Sequence, residues 1–229
     1  MIYDVVIIGA GAAGLFAAAN LSSDRKVLIL ERNDRPGIKL LMTGASQCNI
    51  TNVENIKTFI KKYNNPKIAR KVLYSFNNAM LMAYFEGLGL KLQVREDGKV
   101  FPESMRSKDV LEVLMKEIRS KNHQLNCNES VQYIRWQESI GLFSVVTDKL
   151  KYTTKKIMVA TGGQSYPKSG SDGSFISVLS NIGVRINSFE PALTAVKIMD
   201  YQFKDLSGIA LEGVKLSIRR SDGTIIKSK

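Results

Sequence analysis

Residues 5–14, VVIIGAGAAG, decide the fold. Val5-Val6-Ile7-Ile8 is an unbroken β-branched run, the pattern of a strand buried on both faces. Gly9-Ala10-Gly11-Ala12-Ala13-Gly14 follows at once, and residues 15–21, LFAAANL, read as a helix. A G-x-G-x-x-G run between strand and helix is the dinucleotide-binding fingerprint in its confirming context. Gly9 serves the tight turn, Gly11 lets backbone approach a diphosphate, and Gly14 lets helix and sheet pack closely. The helix N-terminus, at Ala12 and Ala13, offers free N–H groups and partial positive charge to phosphates. A second run, residues 26–30, ends at Glu31, 22 residues after Gly9, where a carboxylate bonds a ribose hydroxyl. A glycine-rich turn before a buried helix, with Glu31 merely solvated, explains each feature singly. The order strand, turn, helix, strand, acid favours the nucleotide.

The composition is that of a globular chain: 229 residues with 44% hydrophobic content can bury a substantial core. Thirty-three Lys and Arg against 21 Asp and Glu give a net charge of +12, which suits anionic ligands, nucleic acid or membrane surfaces without choosing among them. The basic residues are scattered, so an ordinary solvated surface is the first explanation and nucleic acid is not the expected partner. Cys48 and Cys127 cannot make a disulfide framework, and nothing N-terminal resembles a secretion signal, so a cytoplasmic location is expected. The opening apolar run is far shorter than a membrane span. One His and two distant Cys assemble no metal site.

Residues 32–55 carry Gly, Asn, Ser and Thr around an apolar Leu40-Leu41-Met42 and read as a long functional loop. Helical patterns follow at 56–63, 66–74 and 77–88, with Pro66 suited to a first turn. Residues 91–95 and 99–101 flank Glu96-Asp97-Gly98, a hairpin signal. Residues 107–121 place Val110, Leu111, Leu114, Met115 and Ile118 on one helical face. Strands are expected at 123–127, 131–137, 142–147 and 156–160, then a helix at 172–182 with Asp172 as cap or ligand and Gly183 closing it. From Pro191 onward come strands at 193–198 and 214–219, then a turn at Asp222-Gly223 with 224–227 returning. His123, in a polar stretch, reads as a surface residue, and Cys48 as a packing residue more than a redox thiol.

Four motifs together resemble the BaiN/YhiN-type flavoproteins, NAD(P)/FAD-dependent oxidoreductases: GAGAAG (9–14), KLLMTGASQCNITN (39–52), DGKVFPESMRSKDVLEVL (97–114) and ATGGQSYPKSGSDG (160–173). The resemblance covers essentially the whole chain. It implies an α/β, Rossmann-like FAD/NAD(P)-binding fold of glutathione-reductase type, with an FAD-binding domain at 1–190 and the beginning of a β-rich insert domain at 191–229. In that family Gly9, Gly11, Ala12, Ala13 and Gly14 would cradle the FAD diphosphate, and Glu31, with Arg32 beside it, would hold the adenosine ribose. Lys39, Thr43, Gly44, Cys48 and Asn49 would lie along the flavin side. Val131 would offer backbone to the adenine, and Ala160, Thr161 and Gly162 would close over the dinucleotide.

Three departures from the family pattern stand out. Ala45-Ser46-Gln47 replaces a glycine pair and an arginine, giving a stiffer loop without its cation; the glycine-rich run after Ser165-Tyr166-Pro167 is a residue shorter; and the family is roughly twice as long. The chain therefore reads as part of a longer protein that lacks most of the insert and the closure of the FAD site, with FAD held weakly or lost.

The resemblance implies an FAD-dependent oxidoreductase reducing an activated C=C bond of a small apolar substrate. With one phosphate-cradling turn visible, NAD(P)H would dock transiently as donor. No catalytic acid, base or nucleophile stands out, as befits an enzyme whose cofactor carries the chemistry. Two alternatives remain at this level: an NAD-binding dehydrogenase, against which stands the second glycine turn at 160–163, and a nucleic-acid-associated flavoprotein, motivated by the charge.

Overall fold

The computed structural model describes residues 1–187, 205, 215, 217–220 and 222–228. The chain divides into two compact units, Met1–Ser188 and Phe189–Lys229. In chain order the first unit runs β1 (Ile2–Ile8), α1 (Ala12–Asn20), β2 (Val27–Leu30), α2 (Ile38–Met42), β3 (Thr51–Asn52), α3 (Ile56–Lys61), α4 (Pro66–Ser75), α5 (Asn78–Gly87), β4 (Leu92–Val94) and β5 (Lys99–Pro102). It continues with α6 (Ser107–Ser120), β6 (Gln124–Asn126), β7 (Val131–Gln137), β8 (Leu142–Thr147), β9 (Lys151–Val159) and α7 (Phe175–Asn181).

Six of these strands form one sheet in the order β6-β2-β1-β9-β8-β7. It is parallel from β6 to β9 and antiparallel through β8 and β7. Alternation along the central strands explains why their sequences are apolar throughout. Ile7, Val27 and Ile29 enter a core with Leu15, Ala18, Val110, Leu114 and Ile118, beneath α1 and α6. Val6, Ile8, Leu28 and Leu30 enter a second core with Val131, Ile134, Val145 and Val178. A strand loaded on both faces has no polar side to alternate with. The register aligns Ile8 with both Leu30 and Val159, so three chain segments leave the sheet at one level.

A smaller sheet, β3-β5-β4, contains the expected hairpin. The second unit shows β10 (Ser217–Arg219) and β11 (Ile225–Ser228) paired antiparallel around Asp222-Gly223, where Gly223 has φ +85°. The strand expected at 193–198 lies outside the described residues.

Four local expectations need correction. The 32–55 loop contains a helical turn, α2, started at Gly37 in a left-handed conformation. Strand β9 begins at Lys151, five residues early, because Tyr152 and Thr154 are buried while intervening Lys and Thr disguise the run. Helix α7 begins at Phe175, and Asp172 acts ahead of it, its Oδ1 accepting from the Ser174 N–H at 3.0 Å. Its C-terminus follows the glycine rule: Gly183 has φ +80°, and Val184 N–H donates to Leu179 O at 3.1 Å. Finally, His123 is buried, with Nε2 3.4 Å from the Leu21 carbonyl at the end of α1. Its polar neighbours in sequence misrepresent its place between an edge strand and a helix terminus.

Candidate functional site

The three segments leaving β1, β2 and β9 converge. Gly9 has φ +102°, and a Cβ on it would lie 2.6 Å from the Ala160 carbonyl oxygen, so the first glycine turn packs directly on the start of the 160–163 turn. A Cβ on Gly14 would stand 2.0 Å from the Gly9 carbonyl oxygen. Gly9 and Gly14 are therefore required by packing alone. Gly11 is different: its φ is −79°, and a Cβ there meets no atom within 4 Å. The turn is open on that side.

Helix α1 begins at this opening. Gly11 is its N-cap, no side chain caps it, and no acid occupies its first turn. The first-turn amides, including those of Ala12 and Ala13, have no acceptor within the helix, and no acid of the first turn offsets the partial positive charge there. An open side at Gly11 beside uncapped amides fits a diphosphate.

Glu31, at the end of β2, is buried and fixed from both sides. Its Oε2 accepts from the Ala10 N–H at 2.8 Å, and its Oε1 accepts from the Asn33 N–H and Nδ2 at 2.9 and 2.7 Å. The first bond ties the acid to the glycine turn. A carboxylate has about four acceptor sites, so Glu31 keeps capacity for a hydroxyl. The 126–131 link runs beside it, with Glu31 N–H donating to Asn126 O at 2.8 Å and Glu129 N–H donating to Glu31 O at 2.9 Å. Val131 follows two residues later, buried at the start of β7.

Arg32 points to a different partner. Its guanidinium donates to Ser174 Oγ at 2.8 Å and to the Gly170 carbonyl, and pairs with Asp172 at 2.9 Å. The Arg32 charge, with bonds from Ser174, holds the Asp172 carboxyl well below the usual carboxylate range. Asn33 Nδ2 lies 3.4 Å from Ser169 O, adding a second tie to the same loop. Thus Arg32 and Asn33 clasp the 169–174 segment against the end of β2. Asn33 was not legible as a site residue, because its bonds to Glu31 and to the 169–174 segment carry no local sequence signature.

The remaining expected residues lie on α2 and the loop after it. Gly37 N–H donates to Ala10 O at 2.8 Å, which sets the start of α2 against the glycine turn. Lys39 Nζ stands 5.7 Å from the centre of the Tyr166 ring, and Thr43 Oγ1 donates to Lys39 O at 3.0 Å. Gly44 has φ +60°, and Ala45, Ser46 and Cys48 are also left-handed, at 54°, 69° and 62°. Asn49 follows, its amide nitrogen 3.1 Å from a Cβ built on Gly44. Two of these left-handed positions are those where the resemblance leads one to expect glycine. Cys48 is 3% exposed, and burial pushes its thiol up to about 11, so it is a neutral thiol at ordinary pH. A thiol in that state is a poor nucleophile. Ser46 O accepts from the Ser107 N–H at 2.8 Å, anchoring the loop to the start of α6. Although residues 45–47 carry no cation, Arg95 reaches the loop, donating to Gln47 Oε1 at 2.8 Å with its guanidinium 4.2 Å from the Phe101 ring centre.

Gly9, Gly11, Ala12, Ala13, Gly14, Glu31, Ala160, Thr161 and Gly162 thus meet at the ends of three adjacent strands. Lys39, Thr43, Gly44, Cys48 and Asn49 lie on α2 and the loop after it, whose start is tied to the glycine turn through Gly37, with Cys48 buried in the core, and Arg32 turns to the 169–174 loop. Among the described residues no helix is long and apolar enough to cross a membrane.

Comparison with known proteins agrees with this geometry. The model of the HI0933-like protein Rossmann domain matches residues 3–221. A 3-dehydro-bile acid delta(4,6)-reductase of Clostridium scindens is 31% identical over 206 residues, covering 89% of this chain and 49% of the relative. A ribosomal RNA dihydrouridine synthase of Escherichia coli is 24% identical over 226 residues, covering 98% of this chain and 56% of its own. The chain spans about half the length of the curated relatives it matches. Among solved structures, a flavocytochrome c3 fumarate reductase in its open conformation superposes with a TM-score of 0.60 at 15% identity, over 80% of this chain and 41% of the other. That likeness concerns the fold.

Proposed function

Because the chain belongs to the HI0933-like Rossmann family, the BaiN/YhiN-type flavoproteins, we propose that it serves an FAD-dependent oxidoreductase that reduces an electron-poor carbon–carbon double bond. The observation that carries this reading is the convergence of the Gly9 turn, Glu31 and the Ala160 turn at one level of the sheet, with an open side at Gly11. FAD, when bound, supplies hydride transfer.

The chain's own residues bind, orient and exclude water. The amides at Gly11, Ala12 and Ala13 hold the diphosphate, with Gly9 and Gly14 keeping backbone and helix close enough to do so. Glu31 accepts from one ribose hydroxyl with the acceptor site that Ala10 and Asn33 leave free. Val131 offers backbone to the adenine, and Ala160, Thr161 and Gly162 cover the dinucleotide. Lys39, Thr43, Gly44, Cys48 and Asn49 line the flavin side. In this reading residues 1–190 are the FAD domain and 191–229 the start of a β-rich insert.

The substrate class follows from the chemistry in two relatives' names. One relative is named a 3-dehydro-bile acid delta(4,6)-reductase and another a ribosomal RNA dihydrouridine synthase, and both names describe reduction of a carbon–carbon double bond. We extend that bond type to this protein, with a small apolar enone as substrate and NAD(P)H as a transiently docked donor. A cytoplasmic site of action accords with two free cysteines.

Reconstitution tests the reading. The chain is titrated with FAD and, separately, with NAD, following the flavin absorption bands and the melting temperature. Stabilisation by FAD in excess is expected, with the colour lost on gel filtration; a protein stabilised by NAD alone overturns the reading.

A further inference from the structure

We propose that Arg95 and the turn at residues 44–49 together bind an electron-rich oxygen, anionic or carbonyl, at the ring end of the cofactor; the placing at that end rests on the flavin assignment. The turn is rich in donors. The carbonyls of Thr43, Gly44 and Ser46 are already used, accepting from the N–H groups of Cys48, Gln47 and Ser107 at 2.9, 3.1 and 2.8 Å. The N–H groups of Gly44, Ala45, Ser46 and Asn49 donate to no acceptor among the described residues. Gly44, Ala45, Ser46 and Cys48 are left-handed, and backbone amides gathered in such turns make concavities of partial positive charge that hold anions.

A cation stands against the same turn. Arg95, just after β4, holds its guanidinium 4.2 Å from the Phe101 ring centre and donates one N–H to Gln47 Oε1 at 2.8 Å. Phe101 is buried and borders the turn as well: a Cβ on Gly44 would lie 3.5 Å from Phe101 Cε1 and 3.1 Å from the Asn49 amide nitrogen. One ring thus brings the guanidinium beside the free amides. A guanidinium carries five N–H donors, and Gln47 takes one. No carboxylate among the described residues pairs with Arg95, because the nearby Asp97 pairs with Lys99 at 2.6 Å. The planar group is held ready by a ring and an amide, so little freedom is lost on binding. Residues 45–47 contain no cation, and the fold supplies one from a different element. Gly37 N–H donates to Ala10 O at 2.8 Å, so a single five-residue helix, about 8 Å long, separates the diphosphate turn from this one. Two sources offer the required oxygen: the carbonyl edge of the flavin ring and the carbonyl of an enone substrate.

Titration with 4-nitrophenol, which presents an ionisable oxygen on an apolar ring, tests the site, alongside equilibrium dialysis with FAD and with ADP. Bound to the parent chain, the phenol should ionise about one pH unit below the free compound, because a nearby cation favours its anion. Arg95→Met keeps an apolar stem over Phe101 and removes the charge. It should abolish that difference, and Arg95→Lys should retain part of it. If the flavin edge is the occupant, Arg95→Met weakens FAD about tenfold, leaves ADP within about twofold, and FAD displaces the phenol. If the substrate carbonyl is the occupant, FAD affinity is unchanged and the FAD-loaded chain still binds the phenol. Arg119→Met, an exposed arginine in the last turn of α6, is the control and should match the parent throughout. Circular dichroism confirms that each variant is folded. No phenol binding by the parent, unchanged phenol ionisation in Arg95→Met, or equal weakening of ADP and FAD would each overturn the proposal. Arg95-dependent phenol binding in a chain that takes up no FAD sinks the flavin assignment alone, and FAD uptake without an Arg95-dependent oxygen site sinks this one alone.

Discussion

Gly14 and Gly11 belong to one motif but answer to different demands. A methyl on Gly14 meets a backbone carbonyl at 2.0 Å, so helix or strand must move. Gly14→Ala is expected to cost about 3 kcal/mol, the upper end for overpacking, and an unchanged urea midpoint would contradict the packing described. Gly11→Ala meets nothing, and its φ of −79° suits alanine. It should leave stability within about 0.5 kcal/mol while weakening FAD uptake more than about tenfold, as seen by equilibrium dialysis. The motif spacing made both glycines legible, because fingerprint glycines have fixed offsets. Spacing does not report backbone sign at Ala45 and Ser46, whose left-handed φ values only the fold reveals. Ser46→Gly should relieve about 1 kcal/mol of that strain, raising the melting temperature without altering the m-value. The burial of His123 is hidden in the sequence for a related reason: local polarity says nothing about a distant helix end lying over a side chain. Burial depresses its pKa, aided by the Lys121 charge and opposed by the Leu21 carbonyl. A His favoured neutral in the fold contributes stability fully present above the ordinary value of about 6.5 and lost as pH falls through the depressed one. Urea midpoints should therefore fall on acidification below about pH 6.5, and His123→Gln should flatten that part of the profile.

At the level of elements, sequence pattern served best where one face is loaded and the other free. Helix α6 shows this: Val110, Leu114 and Ile118 recur at helical spacing, and all three are buried. Strands β1 and β2 were legible because burial on both faces leaves continuous apolar runs. The first half of β9 was hidden by Lys151, Thr153 and Lys155. Lys155 lies over Asp4, with Nζ donating to its Oδ1 at 2.7 Å, a pairing that exists only once β1 and β9 are neighbours. Helix α2 was hidden for lack of length, since five residues are too few for a helical period to emerge. The candidate site shows the same division. Its glycine turn and acid are encoded locally, whereas the clasp from Arg32 and Asn33 to Ser169, Gly170, Asp172 and Ser174 joins residues more than 130 positions apart. Such a clasp leaves no local signature.

Across the whole molecule, a ligand gripping the ends of three strands should stabilise them together. A nucleotide at a hundred times its dissociation constant adds about 2.7 kcal/mol, so FAD should raise the melting temperature in proportion to the logarithm of its concentration. ADP, which carries the diphosphate and adenosine but no flavin, should give part of that shift; no response to either would remove the diphosphate assignment. Sheet order has a further effect, on synthesis. Strand β1 leaves the ribosome well before one of its two neighbours: the strand pairing Ile2 with Thr153 is translated some 150 residues later. At about 5–20 residues per second, that edge stays unpaired for roughly 8–30 s. The nascent polypeptide must therefore shelter an apolar strand edge over that interval, a natural target for chaperones that meet chains as they emerge.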